Sequence, residues 1–293
     1  MNILVTGANG QLGTELRNVT AGSRDNYIFS DVVSADGVHT FILDITDLRA
    51  VRKACATLEV DVIINCAAYT NVDMAEEDPQ SAMTLNASAP ANLAVAAAET
   101  GAFLIQISTD YVFRGDSSVP YREDSPTGPL GVYGETKLAG ERAVRSSGCD
   151  WIIIRTAWLY SPYGKNFVKT MQRLTAEKDS LRVVSDQIGS PTYARDLASL
   201  IVRMIDGGLE GKDGIYHYTD EGEVSWYEFA KAICELNGNR CDISPCTSEE
   251  YPSKAQRPHY SVLDKTKVKE TFGVEIPHWK DALRLCMHEM SEN

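Results

Sequence analysis

Short, continuous apolar runs alternate with amphipathic stretches through the first half of the chain. The segments 2–6 (NILVT), 27–30 (YIFS), 40–43 (TFIL), 61–65 (DVIIN), 103–108 and 151–155 (WIIIR) read as six strands. Strands that are apolar on both faces belong to parallel sheets covered by helices. Between them the pattern predicts helices over 11–19, 47–58, 80–100 and 134–147. The third is Ala-rich and stopped by Gly101; Gly148 ends the fourth. This alternation predicts an α/β fold with a doubly wound parallel sheet. After about residue 160 the rhythm loosens, and Pro162, Pro191, Pro245, Pro252, Pro258 and Pro277 divide shorter elements. Residues 1–160 read as the main domain, completed by parts of 185–225. Residues 161–184 and 226–293 read as a smaller, mixed region over one end of the sheet. The acidic run at 221–223 reads as a solvated turn.

Composition narrows the function. The 293 residues are enough to bury a core without disulfides or metal. With 43% hydrophobic and 24% charged residues, a disordered chain is excluded. No apolar run approaches the ~18 residues of a membrane helix. A net charge of −13 argues against nucleic-acid binding, which needs clustered Lys and Arg. An anionic ligand must therefore be held by local groups. Seven scattered cysteines (Cys55, Cys66, Cys149, Cys234, Cys241, Cys246 and Cys286) form no CxxC pair, so neither zinc nor a disulfide framework is expected. Reduced thiols, and a first strand that follows Met1-Asn2 at once with no leader pattern, predict a cytoplasmic protein.

Gly7-Ala8-Asn9-Gly10-Gln11-Leu12-Gly13 spaces its glycines as GxxGxxG between the first strand and the first helix. Asp31 ends the second strand. Such glycines let backbone approach a pyrophosphate, and the helix N-terminus supplies N–H donors and a positive dipole end. The acid can accept from an adenosine ribose hydroxyl. Strand, turn, helix and acid in this order predict a Rossmann-like dinucleotide site. Asp31 would repel a 2′-phosphate and no Lys or Arg lies in the turn, which leans toward NADH and leaves NADPH open.

Tyr133-Gly134-Glu135-Thr136-Lys137 is YxxxK, and residues i and i+4 share a helix face. A lysine ammonium there lowers the phenol pKa and can hold a nicotinamide ribose, so the tyrosine can trade protons near neutrality. A second copy, Tyr227 to Lys231, lies beyond the sheet pattern and reads as an ordinary amphipathic helix. The fifth strand ends in Ser108-Thr109-Asp110-Tyr111, at the edge where strand ends meet a cofactor. A hydroxyl of Ser108 or Thr109 could hydrogen-bond a substrate carbonyl, with Tyr133 as acid.

Together these residues resemble the extended short-chain dehydrogenase/reductase superfamily. Narrower segments resemble its dTDP-4-dehydrorhamnose reductase family: Asn65-Cys66-Ala67-Ala68-Tyr69-Thr70, Val72-Asp73, the run Ser108 to Phe113, Arg155-Thr156-Ala157-Trp158, the run Asp186 to Thr192, and Arg257-Pro258. The resemblance runs essentially from end to end. It implies reduction of the 4-keto group of dTDP-4-dehydro-L-rhamnose by NADPH or NADH. Tyr133 would protonate the alkoxide, Lys137 would orient ribose and tune Tyr133, and Thr109 would bond the keto oxygen. Asp110 and Trp158 would contact the sugar and Arg257 its diphosphate. Gly7, Gly10, Gln11, Leu12, Gly13, Asp31, Asp44, Ile45, Ala67, Ala68 and Tyr69 would hold the cofactor, with Asp44-Ile45 against adenine. Asp44 could equally cap the helix that follows.

Some bacterial members of that family dimerise through a metal held by three glutamates. Glu15 and Glu289 fit two of the positions, and the third aligns with Arg195, a cation that would repel a divalent metal. The implied state is a monomer or weak homodimer with no metal bridge. Two other readings compete. Nucleotide-sugar dehydratases of the superfamily carry an acid pair beside the hydroxyl, and here Asp110 is followed by Tyr111, not Glu; an epimerase would show no net redox. A non-catalytic subunit like the methionine adenosyltransferase β subunit would have no need of Thr109, Tyr133 and Lys137 together.

Overall fold

The computed structural model describes residues 1–292. The chain forms, in order, β1 (Asn2–Thr6), α1 (Gln11–Val19), β2 (Asn26–Asp31), β3 (Phe41–Ile42), α2 (Leu48–Thr57), β4 (Val62–Asn65), α3 (Val72–Glu77), α4 (Pro79–Met83), a π-helical turn (Thr84–Ser88), α5 (Ala89–Thr100), β5 (Phe103–Thr109), α6 (Val132–Arg145) and β6 (Trp151–Thr156). Then come β7 (Leu159–Tyr160), α7 (Phe167–Glu177), β8 (Ser180–Val184), β9 (Ile188–Gly189), β10 (Thr192–Tyr193), α8 (Ala194–Asp206), β11 (Gly214–His217), β12 (Val224–Ser225), α9 (Trp226–Leu236), β13 (Asp242–Cys246), α10 (Thr266–Phe272) and α11 (Trp279–Glu292).

Seven strands form one parallel sheet in the order β11-β6-β5-β4-β1-β2-β3. The apolar runs explain it, because alternate residues feed opposite faces. Ile3, Val5, Val62, Ile64, Ile152 and Ile154 pack against Leu12 and Leu16 of α1 and Leu197, Ile201 and Met204 of α8. Leu4, Ile63, Leu104 and Ile153 pack against Val51 of α2, Leu93 and Ala97 of α5 and Val144 of α6. The fold is thus the Rossmann-like doubly wound sheet that the strand pattern predicts. The strand order reverses between β1 and β4, so a crevice opens at their carboxyl ends, where such sheets take ligands.

The helix expected over 80–100 is three pieces. Its π-helical turn carries Asn86, whose side chain accepts from Tyr69 N (2.8 Å) and donates to Tyr69 O (3.0 Å) and Thr136 Oγ1 (3.1 Å). The widened turn aims one amide at the loop after β4 and at α6 together. The helix expected from residue 134 begins at Val132, whose N–H is capped by Glu76 Oε1 at 2.8 Å.

The smaller region has its own core. Val168 and Met171 of α7, Phe229 and Ile233 of α9, and Trp279, Leu283 and Cys286 of α11 pack together. Paired strands β8–β13, β7–β10 and β9–β12 tie it together. Among the described residues no helix is long and apolar enough to cross a membrane. All seven cysteines are free thiols.

Candidate active site

The crevice is a cavity of about 790 Å³, within the range of small-ligand sites. Four strand ends build it: Thr6-Gly7 after β1, Cys66-Ala67-Ala68 after β4, Ser108 to Tyr111 after β5, and Thr156-Ala157-Trp158 after β6. Gly7, Gly10, Gln11, Leu12, Asp31, Ile45, Ala67, Ala68, Thr109, Asp110, Tyr133, Lys137 and Trp158 all line it. Gly13 does not; it packs on Ala8 beneath the turn. Tyr69 is held outside by Asn86. Asp44 accepts from Thr46 N and Oγ1 at 2.9 and 2.7 Å in the turn before α2 and does not cap that helix, a role Asp47 takes through Arg49 N and Ala50 N, while Leu43 and Ile45 line the cavity. Arg257 pairs with Asp73 at 2.8 Å, beside the lining residue Val72.

The dinucleotide end fits its ligand class. Gly10 places no side chain over the cavity, and it begins α1 without any side-chain cap, so the first N–H groups of the helix face the cleft. Asp31 braces this turn by accepting from Asn9 N at 3.1 Å and Val32 N at 2.8 Å.

At the other end Thr109 and Tyr133 meet through a close backbone approach. A Cβ on Gly134 would lie 2.3 Å from Tyr111 O, so only glycine lets α6 rest on the turn after β5. Tyr111 meets Tyr133 edge-on, ring centroids 5.4 Å apart. Burial pushes the Tyr133 phenol up to about 12, opposed by its hydrogen bond with Thr109. Thr109 Oγ1 donates to Asp110 Oδ1 at 3.0 Å, and the other oxygen of that buried carboxylate has no partner. Burial raises Asp110 to about 6 against the bonds from Ser261 and Thr109. Lys137 Nζ donates to Ile107 O at 2.7 Å. Burial pulls its pKa down to about 8, with Glu141 the main opposing group.

Glu141 lies one turn beyond Lys137 on the same helix face. It receives Arg155 in a bidentate pair at 2.9 and 2.7 Å and Ser108 Oγ at 2.6 Å, all buried. Ser108 is thus committed to the buried ion pair, whereas the Thr109 hydroxyl lies in the cavity bonded to Asp110 and Tyr133. Sequence reasoning missed Glu141, although YxxxKxxxE continues the four-residue spacing.

Trp158, which also lines the cavity, has a left-handed backbone, φ 49°. One indole face stacks on Trp226, centroids 3.5 Å apart and planes 11° from parallel. Gly189 also approaches the ring closely: a Cβ there would come 2.8 Å from it. Trp158 lines the cavity beside Trp226. Trp226, at the start of α9, also lines the cavity and was not legible in the sequence. Tyr227, in the second YxxxK, does not line it.

The chain matches the family model described as RmlD substrate binding domain over residues 1–292. It belongs to that family. The spore coat polysaccharide biosynthesis protein SpsK of Bacillus subtilis is 41% identical, the match covering 99% of this chain and 98% of that protein. A dTDP-4-dehydrorhamnose reductase structure from Clostridium acetobutylicum is 42% identical with a TM-score of 0.92, covering 99% of this chain and 100% of that one. Another, from Bacillus anthracis in complex with NADP, is 38% identical with a TM-score of 0.90, covering 98% of this chain and 99% of that one. The glutamate positions singled out for a metal bridge hold an ion pair in this family member: Arg195 pairs with Glu289, which also accepts from Tyr193 Oη at 2.6 Å. Glu15 is buried, and desolvation raises its carboxyl to about 6 against the pull of Arg195.

Proposed function

We propose that this protein is an NAD(P)H-dependent reductase that converts dTDP-4-dehydro-L-rhamnose to dTDP-L-rhamnose. The observation that carries the reading is the convergence of Thr109, Tyr133 and Lys137 in the same cavity as the Gly-rich turn and Asp31. Bound NAD(P)H supplies the hydride for the sugar C4. This chain's residues do the rest. The Gly10–Leu12 backbone and Asp31 hold the dinucleotide, and Leu43 and Ile45 flank its adenine. Thr109 Oγ1 hydrogen-bonds the keto oxygen and fixes it beside Tyr133 Oη. The Tyr133 proton passes to that oxygen as it becomes an alkoxide. A phenol pushed up to about 12 keeps its proton until so strong a base forms. The Lys137 ammonium compensates the phenolate left behind, and solvent restores the proton. Asp110 and Trp158 contact the sugar, and Arg257 turns from Asp73 to the sugar-nucleotide diphosphate. The same reading makes the protein a cytoplasmic monomer or weak homodimer; the Arg195–Glu289 pair supports the lack of a metal bridge.

The test is oxidation of NADH and of NADPH, followed at 340 nm, with enzymatically prepared dTDP-4-dehydro-L-rhamnose. Cofactor consumption with appearance of dTDP-L-rhamnose is the expected result. Cofactor binding without oxidation would refute the reductase reading.

A further inference from the structure

Two diphosphates, one on the cofactor and one on the sugar nucleotide, must enter a cavity in a chain of net charge −13. Asp31 and Asp110 already line it with negative charge, and its only basic lining residues are Lys137 and Lys165. Lys137 is buried and donates to Ile107 O. Lys165 is different: it is exposed, and among the described residues its ammonium has neither an ion pair nor a hydrogen bond.

Its position is built rather than incidental. Lys165 sits in the 161–166 loop, which crosses the first turn of α1. Gln11, the first residue of that helix, accepts from Asn166 Nδ2 at 2.9 Å and Ser161 Oγ at 3.3 Å. Asn18, two turns on, donates to Tyr163 Oη at 2.9 Å. Gly164 comes so close that a Cβ there would meet Gln11 Cγ at 3.2 Å. The loop, held on Gln11, therefore brings Lys165 to the cavity beside the uncapped helix start at Gly10.

We propose that Lys165 is a ligand of the cofactor diphosphate, the mobile cation that completes a site whose other donors are backbone N–H groups. This rests on the dinucleotide reading of the cavity. A flexible ammonium adds charge without imposing geometry, which suits an anion already oriented by a helix terminus.

The experiment titrates free enzyme with NADH and with NADPH by cofactor fluorescence, for wild type, Lys165→Met and Lys165→Arg. The expected result is a Kd raised about tenfold for both cofactors in Lys165→Met, near-normal binding in Lys165→Arg, and a weaker dependence on salt in the Met variant. An unchanged Kd overturns the proposal. So does a loss confined to NADPH, which would put Lys165 at the 2′-phosphate, or a loss seen only in the KM for the sugar nucleotide. Wild type that binds neither cofactor overturns the dinucleotide reading along with it; wild type that binds while Lys165→Met matches it overturns Lys165 alone.

Discussion

Ser108 Oγ donates to Glu141 Oε1 at 2.6 Å, and this one bond separates two adjacent hydroxyls into different roles. Ser108 bonds the buried Glu141–Arg155 pair; Thr109, next in the strand, lines the cavity and bonds Asp110 and Tyr133. Thr109→Val should lower kcat by a factor on the order of 10². Ser108→Ala should leave kcat within a few-fold and cost about 1–2 kcal/mol of stability, the loss of one buried hydrogen bond to a charged group. Steady-state kinetics beside denaturant unfolding separates the two, and the reverse pattern would exchange their roles.

Tyr133→Phe should reduce kcat on the order of 10²-fold or more while leaving cofactor Kd unchanged, because one oxygen is removed and the ring still packs against Tyr111. Retained kcat would take Tyr133 out of the chemistry.

Glu141 is the main group opposing the downward shift of Lys137, so its charge should be visible in the pH profile. Glu141→Gln keeps oxygen and amide near Arg155 and Ser108 but removes the anion. Lys137 then loses its proton at lower pH, and the alkaline limb of kcat/KM should move toward acid. Glu141→Asp should restore much of the limb. A purely structural role would lower stability and leave the limb where it is.

Six of the sheet's seven strands were legible as continuous apolar runs with glycine-bearing turns at fixed places; β11, the short run Gly214–His217, was not. The meeting of Thr109 with Tyr133 was legible for the same reason, as a strand end and a helix start leave little freedom. What escaped depends on distant packing. Nothing local marks the π-helical turn that aims Asn86 at Tyr69, since its sequence is as helical as its neighbours. Trp226 reaches the cavity only because β12 pairs with β9, bringing the start of α9 beside Trp158. Arg257 was legible as a cation near the site, but not its pairing with Asp73 across 184 positions of chain.

Gly189 decides where Trp158 can stand. Gly189→Ala would put a methyl 2.8 Å from the indole, which can yield only by shifting against Trp226. The substrate KM should rise several-fold or more, with cofactor Kd unchanged, since Gly189 is remote from the Gly-rich turn. An unaltered substrate KM would show that Trp158 does not hold the sugar.

On the proposed dinucleotide reading, Asp31 sets the choice between cofactors. Asp31→Asn removes the charge and keeps an oxygen for one of the two N–H groups that Asp31 holds, Asn9 or Val32. The ratio of kcat/KM for NADPH over NADH should rise, because a 2′-phosphate no longer meets an anion. A ratio that stays constant would place the ribose elsewhere.

Stability should improve on mild acidification, which is opposite to the usual trend. Burial raises Glu15, Asp110 and Asp196 to about 6 and lifts Asp220 as well. A carboxyl with a folded pKa above its unfolded value binds more protons in the folded state between roughly pH 4 and 6. Its stabilising contribution is therefore present at low pH and lost as pH rises through about 6. His217 acts in the other direction. Burial first, and Arg155 second, hold it down to about 3, so below roughly pH 6.5 the unfolded chain takes up that proton and folding loses stability. Four carboxyls outweigh one imidazole. Below about pH 4 the carboxyls with lowered pKa, Asp78, Asp186, Asp264, Glu221, Glu228 and Glu250, reverse the trend. Calorimetry of the ligand-free protein should thus find Tm a few degrees higher near pH 5.5 than at pH 7.5. A Tm rising steadily from pH 5 to 7.5 would mean that these carboxyls ionise in the folded protein as they do in water.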